Sequence, residues 1–118
     1  MNKRFLIPDE KLRLFVHGKG TCHIPDSVLV YGKKITYFYR VMPEERTDSG
    51  WRFRSGDETE EYLSRPELNG IYDLNIAANY CPSVIPFLDS PPYSAFQFDP
   101  SRKKWVDVTI STDWSRIV

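Results

Sequence analysis

The stretch GWRFRSGDETEEYL, Gly50–Leu63, decides how the rest of the chain is read. Trp51 and Phe53 alternate with Arg52 and Arg54, which on a strand sends the two rings to one face and the two guanidiniums to the other. Ser55-Gly56 breaks that period. Ser55 and Glu58 have capping-box spacing, and so do Asp57 and Glu60. A short helix is therefore predicted through about Leu63, with Pro66 stopping it. The stretch reads as a strand-to-helix junction with Trp51 and Phe53 as core anchors.

Upstream, KITYFYRVM (Lys34–Met42) is the clearest strand. Both its faces carry apolar residues, as in a central strand. The polar loop PEERTDSG joins it to the Trp51 strand, and the simplest connection is an antiparallel hairpin. That register would set Arg40 near Arg52. Two neighbouring arginines need carboxylates, so Arg52 is expected to meet Asp57, Glu58 or an acid of the 73–89 region. TCHI and SVLVY read as further strands, and PDEKLRLFVHGKG favours a short helix from near Pro8, although Leu12, Leu14 and Val16 also alternate as in a strand. Asp73 is a good N-cap for LNIAANYC, which Pro82 ends, and Leu74, Ala77, Ala78 and Cys81 form its apolar stripe. SVIPFLDSPP is too proline-rich for a regular element. SAFQF and KWVDVTI form a last hairpin across DPSRK. The sum is an α+β fold in one domain over 1–118: a mainly antiparallel sheet of about five strands with two or three short helices.

Composition narrows the function classes. The 118 residues include 41% hydrophobic and 14% aromatic residues, enough for one packed core rather than a disordered chain. Lys+Arg and Asp+Glu are both 16, so the basic excess of a typical nucleic-acid binder or polybasic membrane anchor is absent. No apolar run is long enough to span a bilayer, and charged residues interrupt any signal-like start. Two distant cysteines, Cys22 and Cys81, fit no disulfide framework. A cytoplasmic protein with reduced thiols is expected.

Each candidate chemistry has a plainer competitor. His17, Cys22, His23 and Cys81 lack the paired spacing of zinc ligands, so no metal or other cofactor is expected. Cys81 lies near a helix C-terminus, where the dipole disfavours a thiolate. Asp57 and Glu58 could do acid–base work in a small enzyme, but acids in a first turn also favour the helix dipole. YFYR and WRFR combine rings and arginines as single-strand binders do, yet an acidic run follows at once. For protein binding, Asp57, Glu58, Glu60 and Glu61 with Tyr62 and Asp89 are the candidate partner contacts, and Tyr72 and Tyr93 could add aromatic anchors.

The order of the motifs is more specific than any of these. YFYR, SGWRF, SGDE, EYL, GIYDLNIAANYCPSVIPFLDSP and SAF follow one another across roughly residues 20–98. This pattern resembles a bacterial family once known only as a domain of unknown function and now classed as immunity family thirty-three of polymorphic toxin systems. The resemblance implies a non-catalytic cytoplasmic protein that protects its cell by binding a cognate toxin domain; a general interaction module is the alternative. Arg40, Gly50, Trp51, Arg52, Gly56, Asp57, Glu58, Tyr62, Asn75, Asn79, Tyr80, Pro82, Asp89 and Pro91 match the family motif, with Phe53 and Asp73 beside them. A surface that must fit one toxin usually varies with that toxin, so family-wide residues are expected to serve the fold or some function common to the whole family. Residues 1–18 and 111–118 lie at the periphery of the resemblance, where variable, strain-specific or partner-specific elements are expected.

Overall fold

The computed structural model describes residues 3–117. Its centre is one six-stranded mixed sheet of β1 (Thr21–Pro25), β2 (Tyr37–Arg40), β3 (Asp48–Arg54), β4 (Asn69–Asp73), β5 (Ala95–Asp99) and β6 (Lys104–Asp107), in the order β4-β1-β3-β2-β5-β6. Three short helices accompany it: α1 (Asp26–Leu29), α2 (Glu60–Leu63) and α3 (Leu74–Tyr80). The α+β expectation holds, with one strand more than the five expected. The membership also differs: SVLVY is not a strand, and β4, whose NGIYD letters give a weak β signal, pairs antiparallel with β1. The sheet is antiparallel except where β1 runs parallel to β3.

The β2–β3 hairpin forms as expected, and Phe38 pairs with Phe53 and Arg40 with Trp51. Arg52 therefore faces Tyr39, not Arg40, which corrects the expected arginine pair by one residue. Phe38, Trp51 and Phe53 are fully buried. The Phe38 ring lies 5.5 Å from Phe53, 5.2 Å from Phe96 and 4.8 Å from Trp105. Such offset and edge contacts add about 0.5–1.5 kcal/mol per pair beyond area burial. Leu74, Ala77 and Ala78 of α3 join this core, along with Val28 and Leu29 of α1. Cys81, the fourth expected member of the α3 stripe, is only partly buried against it.

Several local expectations are corrected. SVLVY is not a strand. Ser27–Leu29 lies in α1, where the Val30 N–H bonds the Asp26 carbonyl at 2.8 Å, and Gly32 at φ +78° follows the turn. The β-branched letters favour a strand, but tertiary contacts override them: the Ser27 N–H is taken by the Tyr62 hydroxyl at 3.0 Å. The helix expected from Pro8 is a single 3₁₀ turn at Asp9–Lys11. The strand expected over Lys34–Met42 is ordered as strand only at Tyr37–Arg40. The 83–92 loop begins inside a 3₁₀ segment, Pro82–Phe87.

Between the pairings Thr21↔Asp48 and His23↔Arg52, β1 advances two residues while β3 advances four. β3 therefore bulges over Ser49–Trp51, and Gly50 takes φ +89° there. A Cβ on Gly50 would lie 2.2 Å from the Val41 carbonyl oxygen, and the Val41 N–H bonds the Gly50 carbonyl at 2.9 Å. Only glycine fits both the dihedral and the space. Gly18, at φ +66°, has nothing within 4 Å of its hypothetical Cβ. Gly18→Ala should thus cost about 1–2 kcal/mol from the left-handed backbone alone, and Gly50→Ala clearly more. Urea denaturation of the two variants measures the difference. Equal losses would mean that the β2–β3 contact is not what requires glycine.

Candidate partner-binding site

The side chains singled out from sequence divide into four internal clamps and a small exposed remainder. The first clamp is built on Arg40 and Trp51. Arg40 Nε donates to the Ser49 carbonyl at 2.8 Å and a terminal nitrogen donates to the Ser90 carbonyl at 2.7 Å, while the guanidinium lies 5.6 Å from the Trp51 ring centroid. Trp51 Nε1 donates to the Leu88 carbonyl at 3.1 Å. The hairpin and the 88–91 loop containing Asp89 and Pro91 are thereby locked together. Asp89 itself points outward and pairs with Lys19 at 2.8 Å.

The second clamp corrects an expectation. Arg52 does not reach Asp57, Glu58 or the 73–89 acids. It is 4% exposed and forks onto Asp48, with 3.0 and 2.9 Å bonds to the two carboxylate oxygens. Glu44 approaches at 3.5 Å. Asp48 also accepts the N–H groups of Glu44 at 2.9 Å and Gly50 at 2.8 Å. Burial pushes its carboxyl up, but the Arg52 bonds and the two backbone donors outweigh burial and hold it well below the usual carboxylate range. Asp48 lies in a polar loop without periodic signal, and its Asp-x-Gly spacing, an Asx-turn signature, is the sequence cue to it.

The third clamp occupies the Ser55–Glu58 box. Glu58 accepts from the Ser55 and Gly56 N–H groups and from the Ser27 hydroxyl at 2.7 Å, and it bonds the Ser55 hydroxyl. The box ties β3 to α1 rather than starting a helix. The N-cap of α2 is Thr59, whose Oγ1 accepts the Tyr62 N–H at 3.1 Å. Asp57 does not cap either. It pairs with Lys33 at 2.8 Å on the surface. Burial raises the Glu58 pKa, but the Ser55 and Ser27 hydroxyls and the backbone donors lower it more, so the net shift is downward. An acid–base pair of Asp57 and Glu58 draws no support from this arrangement, because every Glu58 oxygen is already engaged.

The fourth clamp lies on α3. Asp73 accepts the Asn75 N–H at 2.9 Å and caps the helix as expected. Asn75 and Asn79 project one turn apart and bond only main-chain groups, mainly of the segment before β1. The Tyr80 hydroxyl accepts the Ile7 N–H and donates to the Leu29 carbonyl, both at 3.0 Å. Pro82 opens the 3₁₀ segment that follows α3.

What remains outside these clamps is narrow. Asp57, Glu60 and Glu61 are exposed, and Tyr62 is half-buried through its bond to Ser27. They sit past the C-terminal end of β3, whereas Asp89 lies near its start, so the six candidate contacts do not form one patch. A groove of about 600 Å³ runs beside α2 between Tyr37, Tyr39, Arg54, Glu58 and Arg116. Arg54 lies 5.8 Å from the Tyr39 ring centroid. Burial pushes the Cys22 and Cys81 thiols up, which opposes thiolate formation. Among the described residues no group of three or more His, Cys, Asp or Glu is placed to hold a metal ion, and no helix is long and apolar enough to cross a membrane.

The family described as "Immunity protein Imm33 domain" matches residues 22–109. No curated protein and no solved structure matches the chain.

The depressed Asp48 pKa makes a linkage statement. Its folded value lies below its unfolded one, so the pair contributes stability that is complete above about pH 4 and is lost as pH falls toward the folded value. Asp48→Asn leaves Arg52 buried without a counter-charge and should cost about 3–5 kcal/mol near neutrality. It should also flatten the acid limb of the stability curve. Urea midpoints measured across the acid range check both, and a full acid limb in Asp48→Asn would assign that limb to other carboxylates.

Proposed function

Because the chain belongs to the Imm33 family of immunity proteins, we propose that it neutralises a cognate bacterial toxin domain of a polymorphic toxin system by binding it in the cytoplasm, without catalysis. The observation that carries this reading is the family match over residues 22–109. The geometry agrees with it in one respect. The motif side chains Arg40, Trp51, Arg52, Glu58, Asn75 and Asn79 are spent on internal hydrogen bonds. They build a stiff scaffold, and a stiff scaffold lowers the ordering cost of binding a partner.

The exposed acids Asp57, Glu60 and Glu61 form the partner surface of this reading, with the Tyr62 ring beside them. Carboxylates at the start of α2 suit a basic face on the toxin, such as the cationic surface of an enzyme that acts on nucleic acid. Glu58 belongs to the scaffold behind them, and Asp89 to a separate edge.

Co-expression with the toxin domain encoded beside this gene should restore growth, and the two proteins should co-purify. Glu60→Lys with Glu61→Lys should weaken the complex at least about tenfold while lowering the melting temperature only modestly, through the two first-turn acids lost from α2. Calorimetric titration of the purified pair reads the first quantity and a thermal melt the second. Absence of both rescue and complex for the unmodified protein would sink the reading. An unaltered affinity in the double variant would instead move the contact away from α2.

A further inference from the structure

The segment before β1 is held in an unusual way. Asn79 accepts the Arg13 N–H and donates to the Arg13 carbonyl, both at 2.8 Å. Asn75 accepts the Phe15 and Val16 N–H groups at 2.8 and 3.0 Å and donates to the Arg13 carbonyl at 2.8 Å. Two side-chain amides thus satisfy four main-chain groups of a non-helical strip, and neither reads the identity of a residue in it. Val16, 8% exposed, plugs the strip into the core. The two side chains before it go the other way: Leu14 is 73% exposed and Phe15 is 45% exposed.

The holders and the held differ in one more way. Asn75 and Asn79 fall within the family match, while residues 11–19 fall outside it. A strip gripped by its main chain can change its side chains without loosening the grip. That is how a rigid scaffold carries a recognition loop. Because the strip is already fixed, burying Leu14 and Phe15 against a partner costs little further backbone ordering.

We propose that Arg13–Phe15 is the specificity-determining contact of this protein with its toxin. This rests on the immunity reading and adds to it a second contact, chemically opposite to the acids near α2. The chemistry of the occupant follows from charge. Residues 11–19 contain Lys11, Arg13 and Lys19 and no acid, and of these Lys19 is paired with Asp89. Asp9 and Glu10 precede the strip, and Asp73 lies by the asparagines. The partner surface is therefore an apolar pocket that accepts Leu14 and Phe15, with carboxylates on its rim facing Lys11 and Arg13.

The test uses the full chain and an inactive form of the toxin domain encoded by the adjacent gene. Calorimetry is run on the unmodified protein, on Leu14→Asp with Phe15→Asp, and on the milder Leu14→Ala with Phe15→Ala. Arg13→Glu is the charge arm. Thermal melts and sedimentation of each free protein accompany the titrations. The expected result is a cooperative melt in all variants, only modestly lowered where the half-covered Phe15 is replaced, affinity at least about tenfold weaker in the Asp pair, and a smaller loss in the Ala pair. Arg13→Glu should bind more weakly, with a reduced dependence on salt. Unaltered affinity in both double variants, with the unmodified protein binding, overturns this proposal and leaves the immunity reading standing. No binding by the unmodified protein overturns the immunity reading and this contact with it. Self-association of the unmodified protein that the Asp pair abolishes would assign the strip to a second copy of the chain, which also overturns the proposal.

Discussion

The buried fork between Arg52 and Asp48 is the constraint on which the sheet turns. Arg52 is four residues beyond Asp48 on the same strand, yet the two meet because β3 bulges between them. The carboxylate accepts two guanidinium bonds and two backbone bonds, so neither charge is stranded. A buried ion pair adds little net stability over an apolar pair of the same shape, but breaking it is costly. Its effect here is on register. Losing the β3 bulge would shift the pairing with β1 and pull Arg52 from Asp48, leaving a lone buried charge, and a slip by one residue would turn Trp51 and Phe53 out of the core.

From that strand the family residues work outward as fasteners. Arg40 and Trp51 fasten the 88–91 loop, Glu58 and Tyr62 fasten α1, and Asn75, Asn79 and Tyr80 fasten the N-terminal segment. Most of these bonds end on main-chain atoms. Where the bonds end on main-chain atoms, as at Arg13, Phe15 and Val16, the fastener does not read the side chain it holds.

Much of the fold was legible because period and capping agreed with the tertiary outcome. Trp51 and Phe53 alternate with arginines and do point inward, Asp73 does cap α3, and the last two strands do form a hairpin. Legibility failed where long-range contacts decided. SVLVY has strand letters, but Tyr62 and Glu58 capture Ser27 and stabilise a turn of helix. Ser55 and Glu58 have capping spacing, and the Glu58 carboxylate does accept the Ser55 N–H, but the contact closes a tight turn ahead of Thr59. The partner of Arg52 is a loop aspartate, which gives no periodic signal, so local spacing points instead to the downstream acids. The parallel pairing of β1 with β3 was invisible for the same reason: nothing local encodes it. Of the candidate contacts, sequence could nominate Asp57, Glu60 and Glu61 as acids near a helix start. It could not separate them from Glu58, which the fold consumes.

The division between fastening and contacting residues is tested most directly by hydrogen exchange on the complex with the toxin domain. Amides of residues 11–17 and 57–63 should gain protection on binding, while those of β3 and α3 keep the protection they already have in the free protein. New protection confined to other surfaces, such as the groove wall at Tyr37 and Tyr39 or the β5–β6 hairpin, with no change at either exposed segment, would contradict it.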